Sequence, residues 1–140
     1  MAFPKMPDIA SVMTPVPHFV GPETSLAEAV RIMYAQEIRH LPVCQAGRVL
    51  GLLSDRDAKL AQAVLKGRLD ESKLTVADVC NADPYVVSPD ERLDRVVAHM
   101  YKNHIGSSVV VRRDKLVGIF TVSDVCREMT DLLRRHYPDA

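Results

Sequence analysis

The sequence predicts a mixed α/β fold built from two copies of one small unit. Residues 9–60 align with residues 76–127 at a fixed offset of 67 positions, and 13 of the 52 aligned positions are identical without a gap. Chance would give roughly three identities at ordinary composition. In each copy a helical turn and an amphipathic helix pattern are followed by two strand patterns and a further helix. The period exceeds that of solenoid repeats, so we interpret the chain as a duplicated domain.

The composition of the 140 residues excludes several classes of protein. The formal net charge is zero, which disfavours a protein that binds duplex nucleic acid. The three cysteines are widely spaced and form no C-x-x-C pair, so we expect buried thiols rather than disulfides or a zinc site. The N-terminus has no apolar core of signal-peptide length, and no apolar run reaches the roughly 18 residues of a membrane span. We therefore expect a cytoplasmic protein that does not enter the membrane.

The first copy opens with a short helical turn, which we expect Asp8 to cap. Three prolines then require residues 14–22 to be extended. The segment Ser25-Leu26-Ala27-Glu28 is typical of a capping box, and the helix that follows repeats apolar residues at helical spacing. The buried face of this helix is predicted to comprise Leu26, Ala29, Val30 and Met33.

A hairpin and a second helix complete the first copy. Residues 38–44 and 49–53 are predicted strands around a turn at 45–48. Pro42 lacks an N–H group, so we expect its strand to lie at an edge or to start late. The helix is predicted from residue 55 to residue 66, with Gly67 as its stop and a polar linker over residues 68–73.

The second copy follows the same plan. A possible capping box at residues 75–78 precedes an apolar helix face, which is predicted to comprise Leu93, Val96, Val97 and Met100. Residues 108–111 and 116–120 are predicted strands around a turn at 112–115. A final helix is predicted from about Ser123 to His136, where basic residues suit its C-terminus.

Each copy contains the stretch G-h-h-S/T-x-x-D, where h is apolar, at the junction between its last strand and its last helix. The polar residues are Ser54 and Asp57 in the first copy and Thr121 and Asp124 in the second. A helix N-terminus attracts phosphate, and a carboxylate there can bind the vicinal hydroxyls of a ribose. The same spacing also fits an ordinary capping box, which is the commoner role. Both copies use Asp where Glu is usual, which weakly favours a ligand role, and both interpretations stay open.

Over residues 8–130 the order of these motifs resembles a tandem pair of cystathionine-β-synthase (CBS) domains. The resemblance rests on Val12-Met13-Thr14-Pro15, on residues 39–43, on the amphipathic helices and on the two G-h-h-S/T-x-x-D stretches. It implies two βαββα units packed through their sheets around a pseudo-twofold axis. The first repeat with its N-terminal segment would occupy residues 1–67, and the linker with the second repeat residues 68–140. It also implies clefts between the repeats for AMP, ADP, ATP, S-adenosylmethionine or NAD.

The resemblance implies roles for individual residues. Asp57 and Asp124 would hold ribose hydroxyls, and Ser54 and Thr121 would supply hydroxyl contacts. The other candidate ligand-binding residues lie in the extended segments or next to the hairpins: Thr14, Pro15, His18, Phe19, Arg39, His40, Pro42, Tyr85, Ile105, Ser107 and Ser108. Of these, the pairs at 39–40 and 107–108 would reach phosphate. Because the second copy has Gly106-Ser107 where the first has Arg39-His40, we expect two unequal sites.

We expect a regulatory module that senses an adenine nucleotide, has no catalytic domain and requires no metal or other cofactor. The resemblance implies a homodimer, and the regulated protein is unknown. The main alternative is a structural dimerisation module with empty clefts. Single-stranded nucleic-acid binding is disfavoured because the chain has no tryptophan and 5% aromatic residues. An enzyme is disfavoured because no catalytic or metal-binding constellation is present in the sequence.

Overall fold

The computed structural model describes residues 4–15, 17–65 and 73–139. Within these residues, no helix combines the length and the apolar character needed to cross a bilayer. The helices and strands are, in chain order, α1 (Ile9–Val12), β1 (Thr14–Pro15), α2 (Leu26–Gln36), β2 (His40–Gln45), β3 (Arg48–Ser54), α3 (Asp55–Leu65), α4 (Val76–Val79), β4 (Val86–Val87), α5 (Leu93–Asn103), β5 (Ser107–Arg112), β6 (Lys115–Thr121) and α6 (Val122–His136).

The chain forms two compact units, and neither is a continuous stretch of sequence. The terminal unit contains residues 4–15, 85–112 and 117–139, whereas the central unit contains residues 17–65, 73–84 and 113–116. The N-terminal segment with α1 and β1 therefore folds with the second copy of the repeat. The segment with α4 folds with the first copy.

The central unit is built on the antiparallel hairpin of β2 and β3, which pair from His40 opposite Ser54 to Gln45 opposite Arg48. Val20 forms a parallel bridge with Val43, and Asn81 forms an antiparallel bridge with Leu52. Each strand of the hairpin is therefore also paired on its outer side, β2 with Val20 and β3 with Asn81.

Pro42 lies inside β2, with Val20 bridged to that strand, so the strand is not the free edge that the sequence suggested. It does start late, at His40. The carbonyl of Pro42 accepts a hydrogen bond from the Val20 N–H at 3.0 Å. This pairing uses only the carbonyl of the proline, so the missing N–H group costs no hydrogen bond there.

The terminal unit contains a four-stranded sheet in the order β1-β6-β5-β4. Strand β1 is antiparallel to β6, with Thr14 opposite Ile119, and β4 is parallel to β5, with Val87 opposite Val110. At the 67-residue offset, the residue pair Thr14–Ile119 is equivalent to the bridge Asn81–Leu52 of the central unit, and the pair Val87–Val110 is equivalent to the bridge Val20–Val43. The duplication seen in the sequence is therefore also a duplication of strand pairing.

Each unit has its own apolar core. The central core consists of Val20, Leu26, Ala29, Met33, Leu41, Val43, Leu53, Ala58 and Val76. The terminal core consists of Ile9, Val12, Val87, Val96, Met100, Val110 and Phe120. The predicted inner faces of α2 and α5 are confirmed, although Val30, Leu93 and Val97 are only partly buried.

The helix starts follow the capping signals. The Asp8 carboxylate accepts a hydrogen bond from the Ser11 N–H at 3.1 Å, and the Ser25 hydroxyl accepts one from the Glu28 N–H at 3.1 Å. The predicted stop at Gly67 and the linker residues 68–72 lie outside the described residues. The prediction that all three thiols are buried is wrong, because Cys44 is buried, Cys80 is half-buried and Cys126 is exposed on α6.

Candidate functional site

The two G-h-h-S/T-x-x-D stretches form the junctions β3–α3 and β6–α6, which we call the central turn and the terminal turn. In the terminal turn the Thr121 N–H donates to Asp124 Oδ2 at 2.9 Å, and the Thr121 hydroxyl lies 3.4 Å from the same oxygen. Although Asp stands here where Glu is usual, its carboxylate reaches the backbone of Thr121. Thr121 is extended, with φ −126° and ψ 173°, and this conformation places its N–H within reach of the carboxylate.

The other oxygen of Asp124 is also engaged. Its Oδ1 accepts a hydrogen bond from the Thr14 hydroxyl at 3.1 Å and one from Arg127 Nη1 at 2.9 Å. Nη2 of the same guanidinium donates to the Val12 carbonyl at 2.7 Å. Asp124 is only 4% exposed. The terminal turn is therefore a closed network that ties α6 to the N-terminal segment.

The central turn is organised differently. The Ser54 hydroxyl accepts a hydrogen bond from the Asp57 N–H at 3.0 Å, so the first turn of α3 is capped without a carboxylate. Asp57 is half-buried, and among the described residues its carboxylate has no hydrogen bond or ion pair. The position that matches Arg127 is occupied by Leu60, and the position that matches Thr14 by Asn81. Asp57 therefore keeps both carboxylate oxygens free within the described part of the chain.

Two basic residues lie next to the central turn. His40 begins β2 and pairs with Ser54, while the Arg39 carbonyl accepts a hydrogen bond from the Asp55 N–H at 2.8 Å. Burial, and then the charge of Arg39, lower the pKa of His40 below its ordinary value, whereas Asp55 and Asp57 act to raise it. The structure thus brings together four of the predicted site residues: Arg39, His40, Ser54 and Asp57.

The remaining candidates of the central unit are divided between surface and core. His18 and Phe19 are exposed in the segment before Val20. Pro42 is fully buried, which leaves it no surface for a ligand.

In the terminal unit, Thr14 and Pro15 are exposed, and Ile105 is half-buried. The half-buried ring of Tyr85 stacks on His99 with ring centroids 4.1 Å apart. Ser107 and Ser108 are both buried.

The expected phosphate contact of Ser108 is contradicted by its surroundings. The residue is fully buried, and its hydroxyl donates to the Phe120 carbonyl at 3.2 Å.

Sequence reasoning also missed Arg127. A usable signal was present, because Asp124 and Arg127 are three residues apart on a helix, a spacing at which opposite charges can pair.

No cluster of three or more His, Cys, Asp or Glu side chains arranged for a metal ion occurs among the described residues.

The family model for the CBS domain matches residues 9–63 and 76–131. The chain belongs to the CBS-domain family. The resemblance drawn from the sequence is thereby confirmed, together with the mixed α/β fold of two CBS repeats.

Similar proteins include CBS proteins of comparable length. The AcuB protein of Vibrio cholerae, assigned to acetoin utilization, is 31% identical with a TM-score of 0.84, over 97% of this chain and 99% of that chain. Hypoxic response protein 1 of Mycobacterium tuberculosis is 28% identical over 80% of this chain and 78% of its own length. The CBS domain pair of protein MJ0100, in complex with 5′-methylthioadenosine and S-adenosyl-L-methionine, is 25% identical with a TM-score of 0.78, over 87% of this chain and 98% of that chain.

Proposed function

We propose that this CBS-domain pair is a regulatory module that binds an adenosine-containing ligand at the central turn, where Asp57 holds the ribose hydroxyls. The observation that carries the proposal is the Asp57 carboxylate at the start of a helix, which has no hydrogen bond or ion pair among the described residues. Ser54 already caps that helix, so Asp57 can accept hydrogen bonds from both the 2′ and the 3′ hydroxyl without uncapping α3. A hydrogen bond to a charged acceptor contributes about 1.5–3 kcal/mol.

The surroundings of Asp57 support a ligand with further polar groups. The N-terminus of α3 carries the positive end of the helix dipole, which favours an anion. Arg39 is exposed and His40 is half-buried beside it. AMP, ADP, ATP and NAD bring phosphate to this position, whereas S-adenosylmethionine and 5′-methylthioadenosine bring none. The bound ligands of the MJ0100 CBS pair support the adenosine class as a whole.

A second copy of the chain is the proposed partner. Several large apolar side chains on α3 and α6 are 42–61% exposed: Leu60, Val64, Met129, Leu132 and Leu133. Such residues favour burial against another surface. The module itself carries no catalytic step in this proposal, and ligand binding biases the conformation of the homodimer or of a regulated protein bound to it.

A structural role is the second candidate, and one observation favours it. In the terminal turn both oxygens of Asp124 serve as cap and network acceptors. The motif therefore has a structural role in the terminal turn. In the central turn Ser54 caps the helix, and the Asp57 carboxylate has no partner in the part of the chain that the structure describes.

Thermal unfolding with AMP, ADP, ATP, S-adenosylmethionine, 5′-methylthioadenosine and NAD in turn tests the proposal. A ligand at about 100 times its dissociation constant adds roughly 2.7 kcal/mol to the free energy of unfolding, which raises Tm by several degrees. We expect Asp57→Asn to abolish the rise. The matched control is Asp78→Asn, which removes an exposed capping carboxylate from α4 of the same unit and leaves the rise intact. No rise with any ligand at millimolar concentration would favour the structural role.

A further inference from the structure

Arg127 joins two segments that are far apart in the sequence. One nitrogen of its guanidinium donates to Asp124 Oδ1, and another donates to the Val12 carbonyl at the end of α1. The residue thereby holds the carboxylate and the N-terminal segment in one arrangement. We call this set of contacts the Arg127 latch.

Donors from Arg127, Thr14 and Thr121 together engage both oxygens of Asp124. A carboxylate has about four lone-pair positions, two on each oxygen. Oδ1 faces the Thr14 hydroxyl and Arg127, while Oδ2 faces the N–H and hydroxyl of Thr121. A ribose that approaches Asp124 must displace at least one of these donors. Displacing Arg127 would also break its 2.7 Å hydrogen bond to the Val12 carbonyl.

The central turn has no such closure within the described residues. Leu60 stands at the position of Arg127, is 61% exposed and cannot donate a hydrogen bond. Asn81 stands at the position of Thr14 and pairs through its backbone with Leu52, with both hydrogen bonds at 2.9 Å. The two turns thus share Asp, a capping hydroxyl and Gly but differ in the residue three positions after the Asp.

We infer that Arg127 is a positioning residue that closes the terminal turn to adenosine ligands and thereby decides which of the two Asp residues holds ribose. This inference rests on the proposed function of the central turn. It has a structural consequence as well: any ligand that displaced Arg127 from the terminal turn would also remove its hydrogen bond to the Val12 carbonyl, one of the contacts that hold the N-terminal segment.

Reciprocal exchange of the two residues tests the inference. Arg127→Leu gives the terminal turn the residue of the central turn, and Leu60→Arg does the reverse. The wild-type chain is expected to bind one 5′-methylthioadenosine in calorimetric titration. Arg127→Leu should bind two per chain. Leu60→Arg should lower the affinity at least tenfold, because the new guanidinium lies three residues from Asp57 and can occupy its carboxylate. Arg127→Lys preserves the charge but has a single nitrogen, so it should give an intermediate result.

A ligand-free measurement accompanies the titration. Amide hydrogen exchange over residues 9–15 should become at least tenfold faster in Arg127→Leu and remain closer to wild type in Arg127→Lys. Exchange over residues 40–54 of the central unit serves as the internal reference and should stay unchanged.

The outcomes separate this inference from the proposed function. Two ligands per wild-type chain, one ligand per Arg127→Leu chain, or unchanged affinity in Leu60→Arg would each overturn the role of Arg127. Binding that appears only in Arg127→Leu would support the latch and contradict the proposal for Asp57. If no variant binds the probe, the proposed function fails, and unchanged exchange over residues 9–15 would overturn the latch as well.

Discussion

Gly51 is the position at which the structure makes the sharpest prediction about stability. A Cβ atom at this residue would lie 2.6 Å from the Asn81 carbonyl oxygen and 2.8 Å from Cys80 Sγ, whereas ordinary contacts begin at 3.4 Å. The oxygen must therefore retreat by about 0.8 Å. It cannot do so freely, because it accepts a hydrogen bond from the Leu52 N–H at 2.9 Å, and the Asn81 N–H donates to the Leu52 carbonyl at the same distance.

These contacts set the size of the effect. Overpacking costs about 1–3 kcal/mol, and weakening the bridge to Leu52 costs up to about 1 kcal/mol per hydrogen bond. The lower entropy of the unfolded Ala chain offsets about 0.4–1 kcal/mol. Gly51→Ala should therefore lower the free energy of unfolding by about 2–3 kcal/mol.

Gly118, the equivalent residue of the terminal unit, provides the matched control. A Cβ atom there meets the side chain of Met13 and lies 3.1 Å from the Thr14 carbonyl oxygen. A methionine side chain can move aside, so Gly118→Ala should cost about 1 kcal/mol. Urea unfolding followed by circular dichroism compares the two variants. Equal losses, or a larger loss for Gly118→Ala, would refute the reasoning from backbone proximity.

The carboxylates of Asp124 and Asp57 and the imidazole of His40 provide the other predictions. In urea unfolding, Asp124→Asn should lower the free energy of unfolding by about 1–3 kcal/mol, because it leaves a buried network unsatisfied. Asp57→Asn should lower it by about 0.5 kcal/mol, because only a charge at a helix N-terminus is lost. Equal losses would contradict the difference between the turns. Because burial lowers the pKa of His40 below 6.5, the unfolded chain takes up the proton first. Stability should be full above about pH 6.5 and fall as the pH drops through the lowered pKa, and His40→Gln should flatten this part of the curve. If a phosphate-bearing ligand raises the pKa of His40, AMP should bind more tightly at pH 6 than at pH 7.5, with no such change for 5′-methylthioadenosine.

Much of the fold could be predicted because its signals are local or repeated. The spacing of apolar residues in α2 and α5 depends on helix geometry, and the caps at Asp8 and Ser25 act over three residues. The duplication required only a comparison of the chain with itself. The strand pairing Thr14–Ile119 then proved to be the shifted counterpart of Asn81–Leu52.

The candidate site was less predictable because its decisive contacts join distant segments. Thr14 and Asp124 are 110 residues apart, and Val12 and Arg127 are 115 apart. No local pattern indicates that the N-terminal segment packs with the second copy of the repeat. For the same reason, the sequence could not show whether an Asp in the shared motif is enclosed or free. We expected unequal sites because the second copy has no equivalent of the Arg39-His40 pair. The enclosure of Asp124 provides an independent physical reason for that expectation.

Calorimetric titration of 5′-methylthioadenosine and its 2′-deoxy analogue into the wild-type chain, Asp57→Asn and Asp124→Asn tests the central claim most directly. The wild-type chain should bind the ribose form at least tenfold more tightly than the deoxy form, because a hydrogen bond to a charged acceptor contributes about 1.5–3 kcal/mol. That preference should disappear in Asp57→Asn and persist in Asp124→Asn. A preference that survives in Asp57→Asn, or one that disappears only in Asp124→Asn, would contradict the assignment of the ribose to the central turn.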